Sequence, residues 1–366
     1  MLAGHWQNLK VVKVNASETS ELAEAWANLA DSSVEPAGFN APQWLIPIIQ
    51  PDANASVFTV SDGPDLVMTL PLVENQSHLA SFSSPLLASG LPHVFKASVQ
   101  SAILAFINAQ RKPVMLRAIT ADGPFIDNLK RNAAHYSVIE TWQRAALKPK
   151  GTFEEWLATN FDQKRRKEFK RLRNRLAEQG ALTTETLEVG ADTKPFVDDF
   201  LRLEAAGWKG KKGTAINALL QLSESFYEAV SNLHKVGNLR FWSLKLDGKS
   251  IASLYAIVEG PHAWLGKIAY DENFAKFSPG VMIIFDCTES FFAEPDITQI
   301  DSCAIPNHPM IDRIWRDRLS MASVFAAPAT ISTMQFNLTV RLEKLRLHSR
   351  SLLRDIYYKL RGAKRS

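Results

Sequence analysis

Residues 239–280 read LRFWSLKLDGKSIASLYAIVEGPHAWLGKIAYDENFAKFSPG. Three apolar runs in this stretch are separated by two turns, Asp247-Gly248-Lys249 and Glu259-Gly260-Pro261. Runs rich in β-branched and aromatic residues, and bounded by Gly, Pro and Asp, are typical of strands joined by hairpins. The stretch therefore predicts a three-stranded antiparallel meander with strands at 239–246, 251–258 and 263–270.

The end of this stretch predicts the start of a helix. Ser278-Pro279-Gly280 is followed by an apolar run to Ala293, and proline suits the first position of a helix. The first turn of a helix presents unpaired backbone N–H groups and a partial positive charge, which can hold a diphosphate. Gly280 would let a ligand approach the backbone closely. The alternative is an ordinary helix start with no ligand.

The segments on either side of the meander alternate between helix and strand patterns. On the N-terminal side we predict helices at 162–179, 195–207 and 216–236, and a strand at 182–189. On the C-terminal side we predict a strand near Ile300, a helix over 311–319 and a strand over 321–326.

The first 147 residues mix strands and helices in a pattern that predicts a separate unit. A turn over residues 61–64 predicts a hairpin, and the prolines and glycine of residues 36–51 predict an irregular segment. Lys148-Pro149-Lys150-Gly151 is the clearest boundary. We therefore predict three parts: an N-terminal domain over 1–147, a second domain over 148–330 and a helical tail over 331–366.

The net charge is small but unevenly distributed. The chain has 366 residues with 42 basic and 38 acidic side chains, a formal net charge of +4. Residues 341–366 hold nine basic residues against two acidic ones, so this tail carries +7 and the rest of the chain −3. Apolar residues spaced by three, four and seven predict an amphipathic helix in the tail. Three interpretations stay open: packing on the body, contact with an anionic membrane, or contact with nucleic acid.

Composition excludes several classes of protein. No apolar run reaches the ~18–20 residues of a membrane span, and the first 14 residues lack a signal-peptide pattern. Two cysteines and eight scattered histidines predict neither a disulfide framework nor a metal site. We therefore expect a cytoplasmic globular protein without a metal, with peripheral membrane contact through residues 341–366 as an added feature.

Several segments together resemble a known superfamily. They are Lys164-Arg165-Arg166-Lys167 with the helix to Leu176, then 203–210, 244–252, 269–272, 277–280 and Ile300-Asp301. About half the chain resembles the GNAT acyltransferases, in the branch of cellulose and exopolysaccharide biosynthesis acetyltransferases. The architecture is similar to that of Fem-type peptidyltransferases, which place two GNAT-like domains in one chain.

The resemblance implies a fold and a cofactor. The fold class is α/β (α+β), with tandem GNAT-like mixed sheets flanked by helices and a C-terminal basic amphipathic helix. The co-substrate is acetyl-CoA or a longer acyl-CoA, whose pyrophosphate would lie at the helix start. The cofactor-binding candidates are Phe277, Ser278, Pro279, Gly280, Val281 and Met282.

Three residues are candidates for catalytic roles. Glu204 on a predicted helix could remove the acceptor proton, or it could be an ordinary ion-paired carboxylate. Asp301 follows the strand after the helix start and is either a base or orienting group, or a turn residue. His308 in Asn307-His308-Pro309 is either a partner of Asp301 or part of a loop that starts a helix.

Two further groups of residues are candidates for substrate binding. After the predicted helix 195–207, a glycine-rich segment offers a stacking face and cations for an anionic substrate; its candidates are Trp208, Lys209 and Lys212. The third strand of the meander would line the acceptor side with Trp264, Lys267 and Tyr270. The alternative for the first group is an exposed basic loop.

These observations lead to one functional hypothesis and two alternatives. We expect a GNAT-type acyltransferase that moves an acyl group directly from acyl-CoA to an amine or hydroxyl of a sugar or a cell-envelope or polysaccharide precursor. The basic residues of 164–175 would be a solvated face or would attract an anionic substrate. One alternative is a Fem-like transferase that uses aminoacyl-tRNA. The other is a non-catalytic GNAT scaffold that binds a membrane or a polysaccharide-synthesis partner. The charge distribution argues against a general nucleic-acid binder.

Overall fold

The computed structural model describes residues 8–88, 91–207, 216 and 220–360. Within this part, thirteen strands form one mixed sheet flanked by helices, in the order β1-β2-β3-β4-β6-β13-β7-β12-β11-β10-β9-β8, with β5 paired to β3. The strands are β1 (Leu9–Asn15), β2 (Ala55–Asp62), β3 (Asp65–Glu74), β4 (Leu79–Ser81), β5 (His93–Val94), β6 (Val114–Thr120), β7 (His135–Leu147), β8 (Leu182–Thr186), β9 (Leu239–Leu246), β10 (Lys249–Glu259), β11 (His262–Tyr270), β12 (Gln299–Asp301) and β13 (Asp317–Ala327).

The α-helices cover both sides of this sheet. They are α1 (Ala23–Asp31), α2 (Pro42–Ile49), α3 (Val99–Asn108), α4 (Pro124–Asn132), α5 (Phe153–Asn160), α6 (Gln163–Ala177), α7 (Lys194–Ala206), α8 (Leu220–Lys235), α9 (Pro279–Phe292) and α10 (Thr333–Leu360). The mixed α/β class predicted from the sequence is confirmed.

The predicted meander and hairpin are both present. β9, β10 and β11 pair antiparallel in chain order, and so do β2 and β3. The pairing of β10 with β11 is interrupted at Tyr255, because Leu254 pairs with Ile268 while Ala256 pairs with Leu265. Two residues of β11, Gly266 and Lys267, therefore face one residue of β10, which is a β-bulge.

β11 and β12 run parallel but stay together only briefly. His262, Ala263 and Trp264 pair with residues 299–301, and β11 then continues to Tyr270 beyond the last residue of β12. The two parallel strands therefore separate after Trp264 and Asp301, and the bulge lies just past this point. The far end of β11, Tyr270, packs beside Gly280 at the start of α9.

The meander and its helices have two distinct faces. On the face toward α7, which we call the α7 face, Phe200 of α7, Trp44 of α2 and Phe226 of α8 pack around Tyr255. On the opposite α9 face, residues of α6 and α9 pack with Leu254 and Leu265. Side chains alternate along a strand, so neighbouring residues of β11 and β12 face opposite sides.

The two predicted domains share the sheet. β12 pairs with β7, and β13 lies between β6 and β7 of the first 147 residues. The boundary predicted after residue 147 coincides with the end of β7. The division into domains stays a prediction, but the sheet runs through it without a break.

A buried chain of hydrogen bonds also joins the two halves. Trp26 donates to Nδ1 of His93 (3.0 Å), and Nε2 of His93 donates to Glu259 at the end of β10 (2.9 Å). Glu259 also accepts from the backbone N–H groups of Ala37 and Gly38. Burial raises the pKa of Glu259, but His93 and the two backbone donors outweigh it and hold this pKa below its ordinary value.

Two local predictions were wrong. The segment 311–319 is not a helix: a short 3-10 turn, Ile311–Arg313, is followed by the start of β13. The apolar residues Ile311, Ile314 and Trp315 are buried in the core of the α9 face, and their spacing reflects this burial and not a helical period. The segment 36–51 contains a helix, α2, despite its prolines. Pro42 occupies the first turn, and nearly every side chain of the helix is buried, so tertiary packing outweighs the loss of helix propensity at Pro47.

The tail is a long helix, as predicted. Phe336 and Val340 of α10 pack with Met115 and Phe325 of the sheet. Within the described residues, no helix is both long and apolar enough to span a membrane.

Candidate functional site

The predicted diphosphate site lies at the start of α9. Ser278 precedes the helix in the left-handed conformation (φ 58°, ψ 53°), and its side chain makes no capping hydrogen bond. Pro279 and Gly280 are buried. A Cβ built on Gly280 would lie 3.3 Å from Cδ1 of Tyr270, so the bare backbone of this glycine makes room for the Tyr270 ring. The hydroxyl of Ser278 is thus not used to cap α9.

A cleft of about 340 Å³ opens between α6 and α9 on the α9 face. Four of the six predicted cofactor-binding residues line it: Phe277, Ser278, Val281 and Met282. The rest of its wall is mainly apolar, with a charged rim from α6 and α9. The other lining residues are Phe153, Leu157, Arg166, Phe169, Lys170, Leu172, Arg173, Phe285, Asp286 and Glu289.

The cationic rim of the cleft is only partly neutralised within the protein. Arg173 pairs with Asp286 (2.8 Å), and Thr184 donates to the other oxygen of Asp286 (2.6 Å). Lys170 is exposed. The Nε atom of Arg166 is buried and has no hydrogen-bond partner among the described residues. A buried guanidinium N–H without a partner carries a desolvation cost that an anionic ligand would remove.

Glu204 lies on the α7 face and is almost completely buried. Its Oε1 accepts from Nζ of Lys267 (3.0 Å), and its Oε2 accepts from the backbone N–H of Ile216 (2.9 Å). Lys267 belongs to the bulge of β11. The structure thus brings together a predicted catalytic residue and a predicted substrate-binding residue at the bulge.

The bulge itself depends on a glycine. A Cβ built on Gly266 would lie 2.1 Å from Cε2 of Tyr255. Burial, and secondarily the charge of Glu204, raise the pKa of Tyr255 far above its ordinary value, so its hydroxyl stays protonated.

Asp301 lies at the point where β11 and β12 separate. Its carboxylate pairs with the guanidinium of Arg144 on β7, and its Oδ1 accepts from the backbone N–H of Cys303 (2.8 Å). The side chains of Asp301 and Arg144 are both about 5% exposed or less. Trp264, the β11 partner of Asp301, packs into the core of the α7 face. Asp301, Trp264, Glu204 and Lys267 therefore share one face.

His308 lies in the loop that follows. Its Nδ1 accepts long hydrogen bonds from the backbone N–H groups of Met310 (3.3 Å) and Ile311 (3.4 Å). His308 therefore stabilises the turn that places Met310 against Gly280, and its role in proton transfer stays a prediction.

The remaining predicted residues lie on the α9 face or in the undescribed segment. Tyr270 packs on the α9 face beside Gly280. Trp208, Lys209 and Lys212 lie outside the described residues, directly after α7. None of the site assignments is tested by these contacts alone, and all stay predictions.

Two parts of the site were not predicted. Arg144 was missed because only the pairing of β7 with β12 brings it to Asp301. Gly266 was missed because a bulge has no reliable local signal, although a lone glycine inside a strand pattern is a weak one.

Among the described residues, no cluster of His, Cys, Asp and Glu could hold a metal ion. Burial raises the pKa of the Cys287 and Cys303 thiols well above the ordinary value, so both stay protonated at neutral pH.

Comparisons with known proteins agree with this geometry. The family profile described as acetyltransferase (GNAT) domain matches residues 163–308, which include α6, the meander, α9 and Asp301. A search of the curated proteins gives no match.

Solved structures share the fold over most of the chain. The C-terminal domain of a protein described as a lysylphosphatidylglycerol synthetase from Agrobacterium fabrum has a TM-score of 0.56 at 11% identity, covering 88% of this chain and 96% of that one. L-PGS from Bacillus licheniformis has a TM-score of 0.56 at 12% identity, covering 92% and 98%. FemX has a TM-score of 0.54 at 11% identity, covering 83% and 95%.

At these identities the structural matches show the fold, whereas the profile match bears on the class of enzyme. The predicted tandem GNAT-like architecture is confirmed, and the exopolysaccharide branch stays a prediction. Residues 163–308 match the acetyltransferase (GNAT) domain profile, which supports an acyltransferase, and the chain shares its fold with FemX and L-PGS.

Proposed function

We propose that this protein transfers an acyl group from acyl-CoA directly to an amine or hydroxyl acceptor, a sugar or a cell-envelope or polysaccharide precursor. The observation that carries the proposal is the cleft at the start of α9, where Tyr270 of β11 packs beside Gly280, inside the segment that matches the GNAT profile.

The donor would bind on the α9 face. The uncapped turn at Ser278, the first N–H groups of α9, and Arg166 and Lys170 provide donors and positive charge for a diphosphate. The apolar wall with Phe277, Val281 and Met282 suits the uncharged arm of the same ligand. A cleft that is cationic at its rim and apolar inside matches the two parts of acyl-CoA.

The reaction would take place in the gap between the separated strands. The acceptor amine or hydroxyl attacks the thioester carbonyl, the carbonyl oxygen becomes negative, and collapse of the intermediate expels the CoA thiolate. Backbone N–H groups of β11 near the bulge would stabilise this oxyanion. No covalent enzyme intermediate is needed.

The α7 face would hold the acceptor and take its proton. Glu204 is a buried carboxylate at the bulge, and Lys267 fixes its orientation. Removal of the acceptor proton by such a group is worth on the order of 10²–10⁴ in rate. Asp301, with Arg144, would be a positioning residue that holds β12 and the loop after it. Trp208, Lys209 and Lys212, which lie outside the described residues, stay candidates for substrate binding.

Calorimetry with acetyl-CoA and longer acyl-CoAs tests the donor. Binding in the micromolar range, reduced by Lys170→Ala, would support the proposal. No heat and no thermal shift with any acyl-CoA would overturn it.

One observation favours a second candidate, a Fem-like transfer from aminoacyl-tRNA. The outward side of α6 exposes Lys164, Lys167 and Arg175 beyond the cleft, more cations than a single diphosphate needs. A filter-binding assay with tRNA separates the two: retention that falls steeply with salt, without any binding of acyl-CoA, would favour this candidate. Absence of both ligands would favour the non-catalytic scaffold.

A further inference from the structure

Helix α10 has an apolar side that the described part of the protein leaves exposed. Phe336 and Val340 on its inner side pack on the sheet. On the outer side, Met334, Leu338, Leu342 and Leu345 are 81%, 57%, 55% and 65% exposed. We call these four residues the outer stripe. Large exposed apolar side chains in a continuous group mark an interaction surface more often than scattered single residues do.

The spacing places the four side chains in one line. They are separated by four, four and three positions, so at ~100° per residue they fall within about 80° of the helix circumference. In the sequence the same spacing recurs at Leu352, Ile356 and Leu360. Over residues 334–345 the outer stripe therefore runs along the helix instead of forming a pocket.

Positive charge flanks the outer stripe. Arg341, Lys344 and Arg350 are exposed on the same helix. Glu343 is the acidic residue of this part of α10, but it is buried and paired with Arg117 (3.1 Å) and Arg346 (3.1 Å), so its charge does not face outward. An apolar stripe with cations on both sides is the pattern of a helix that lies in the surface of an anionic bilayer.

A second copy of the chain fits this surface poorly. Two tails of +7 each would be brought together, which opposes association. A narrow stripe of four side chains also offers much less than the ~800 Å² per partner of a stable interface.

We propose that α10 is a peripheral membrane anchor: the outer stripe inserts among the acyl chains of an anionic bilayer, and the flanking cations contact lipid phosphates. The inner side of the helix keeps its contact with the sheet. The proposal is independent of the proposed acyl transfer, because the surface is separate from the cleft at α9.

Vesicle co-sedimentation of the full-length protein tests the anchor. We expect binding to phosphatidylcholine vesicles that contain phosphatidylglycerol, weakened by added salt, and little binding to phosphatidylcholine alone. The double variant Leu338→Glu/Leu342→Glu should bind to these vesicles at least about tenfold more weakly, because two inserted apolar side chains are lost. The matched control Thr333→Glu/Asn337→Glu adds the same charge at exposed positions beside the stripe and should retain most of the binding.

Three results would overturn the proposal. One is the absence of binding by the wild type to anionic vesicles, and another is equal binding by the double variant and the wild type. The third is a dimer in sedimentation without vesicles that the double variant abolishes, which would assign the stripe to a second copy. Thermal unfolding of both variants should match the wild type, because all four changed positions are exposed.

Discussion

The two faces of the meander differ in how exposed their charged side chains are. On the α9 face, cations line an open cleft of about 340 Å³, and the Arg173–Asp286 pair there is partly exposed. On the α7 face, Glu204 with Lys267 and Asp301 with Arg144 lie among closely packed aromatic side chains. The α9 face is therefore suited to receive a large anionic ligand, whereas the α7 face is suited to hold a few polar groups rigidly.

Removing one cation from each face should show the largest difference in stability between a buried and a partly exposed ion pair. Arg144→Met leaves Asp301 buried without its partner, so we expect a loss of about 3–5 kcal/mol in the free energy of unfolding. Arg173→Met on the α9 face should cost less than about 1 kcal/mol, because solvent screens that pair. Urea unfolding measures both. In Arg144→Met/Asp301→Leu, which removes both charges, much of the stability should return; equal losses for the two single variants would contradict the comparison.

Glu204→Gln should affect catalysis and leave donor binding intact. If Glu204 takes the acceptor proton, kcat falls on the order of 10²–10⁴, while the affinity for acyl-CoA is unchanged. The matched control is Glu289→Gln, a carboxylate in the rim of the α9 cleft, which should leave kcat within about threefold. Steady-state kinetics with an acceptor that gives turnover measures both. A fall in acyl-CoA affinity without a change in kcat would remove Glu204 from the acceptor side.

Substitution of one glycine on each face reports how tightly that face is packed. Gly266→Ala places its Cβ inside the ring of Tyr255, which is enclosed by other aromatic rings, and should cost about 1–3 kcal/mol or more. Gly280→Ala meets Tyr270 at 3.3 Å and should cost less than Gly266→Ala. The shift in Tm reports the difference. A larger loss for Gly280→Ala would mean that the α9 face is the more rigid one.

The smallest expected effect concerns the cationic rim. Lys170→Ala should weaken acyl-CoA binding about threefold to fivefold at low salt, since one exposed charge contributes less than ~1 kcal/mol. Lys167→Ala, on the same helix and equally exposed, is the control and should bind as the wild type does. Calorimetry at two salt concentrations measures the difference, and equal losses in both variants would mean that the charge of α6 acts as a whole and not through the cleft.

Local sequence patterns predicted the parts of the fold that local physics determines. The turns at 247–249 and 259–261 indicated the meander, and Pro279 indicated the start of α9. The helix predicted at 311–319 failed because its apolar spacing serves burial in the core, which a single segment cannot reveal. The prolines of 36–51 led to the wrong prediction of an irregular segment for the same reason, because burial outweighs local helix propensity in α2.

The candidate site was predictable to a similar extent. Glu204, Lys267, Asp301 and Trp264 could be identified as residue types in or beside predicted elements, but their shared face depends on the bulge and on strand pairing. Arg144 could not be identified, because it lies far from Asp301 in sequence and the two meet only when β7 pairs with β12. Contacts of this kind are set by the tertiary structure alone.

The position of β13 has a consequence for how the chain is made. β6 and β7 leave the ribosome early, yet the strand that fills the space between them is residues 317–327. Until that later segment is translated, the edges of β6 and β7 that β13 occupies stay unpaired, and unpaired strand edges are sites where nascent chains associate wrongly. The N-terminal half therefore cannot complete its sheet as an independent fragment, and its final assembly must wait until residues 317–327 are synthesised.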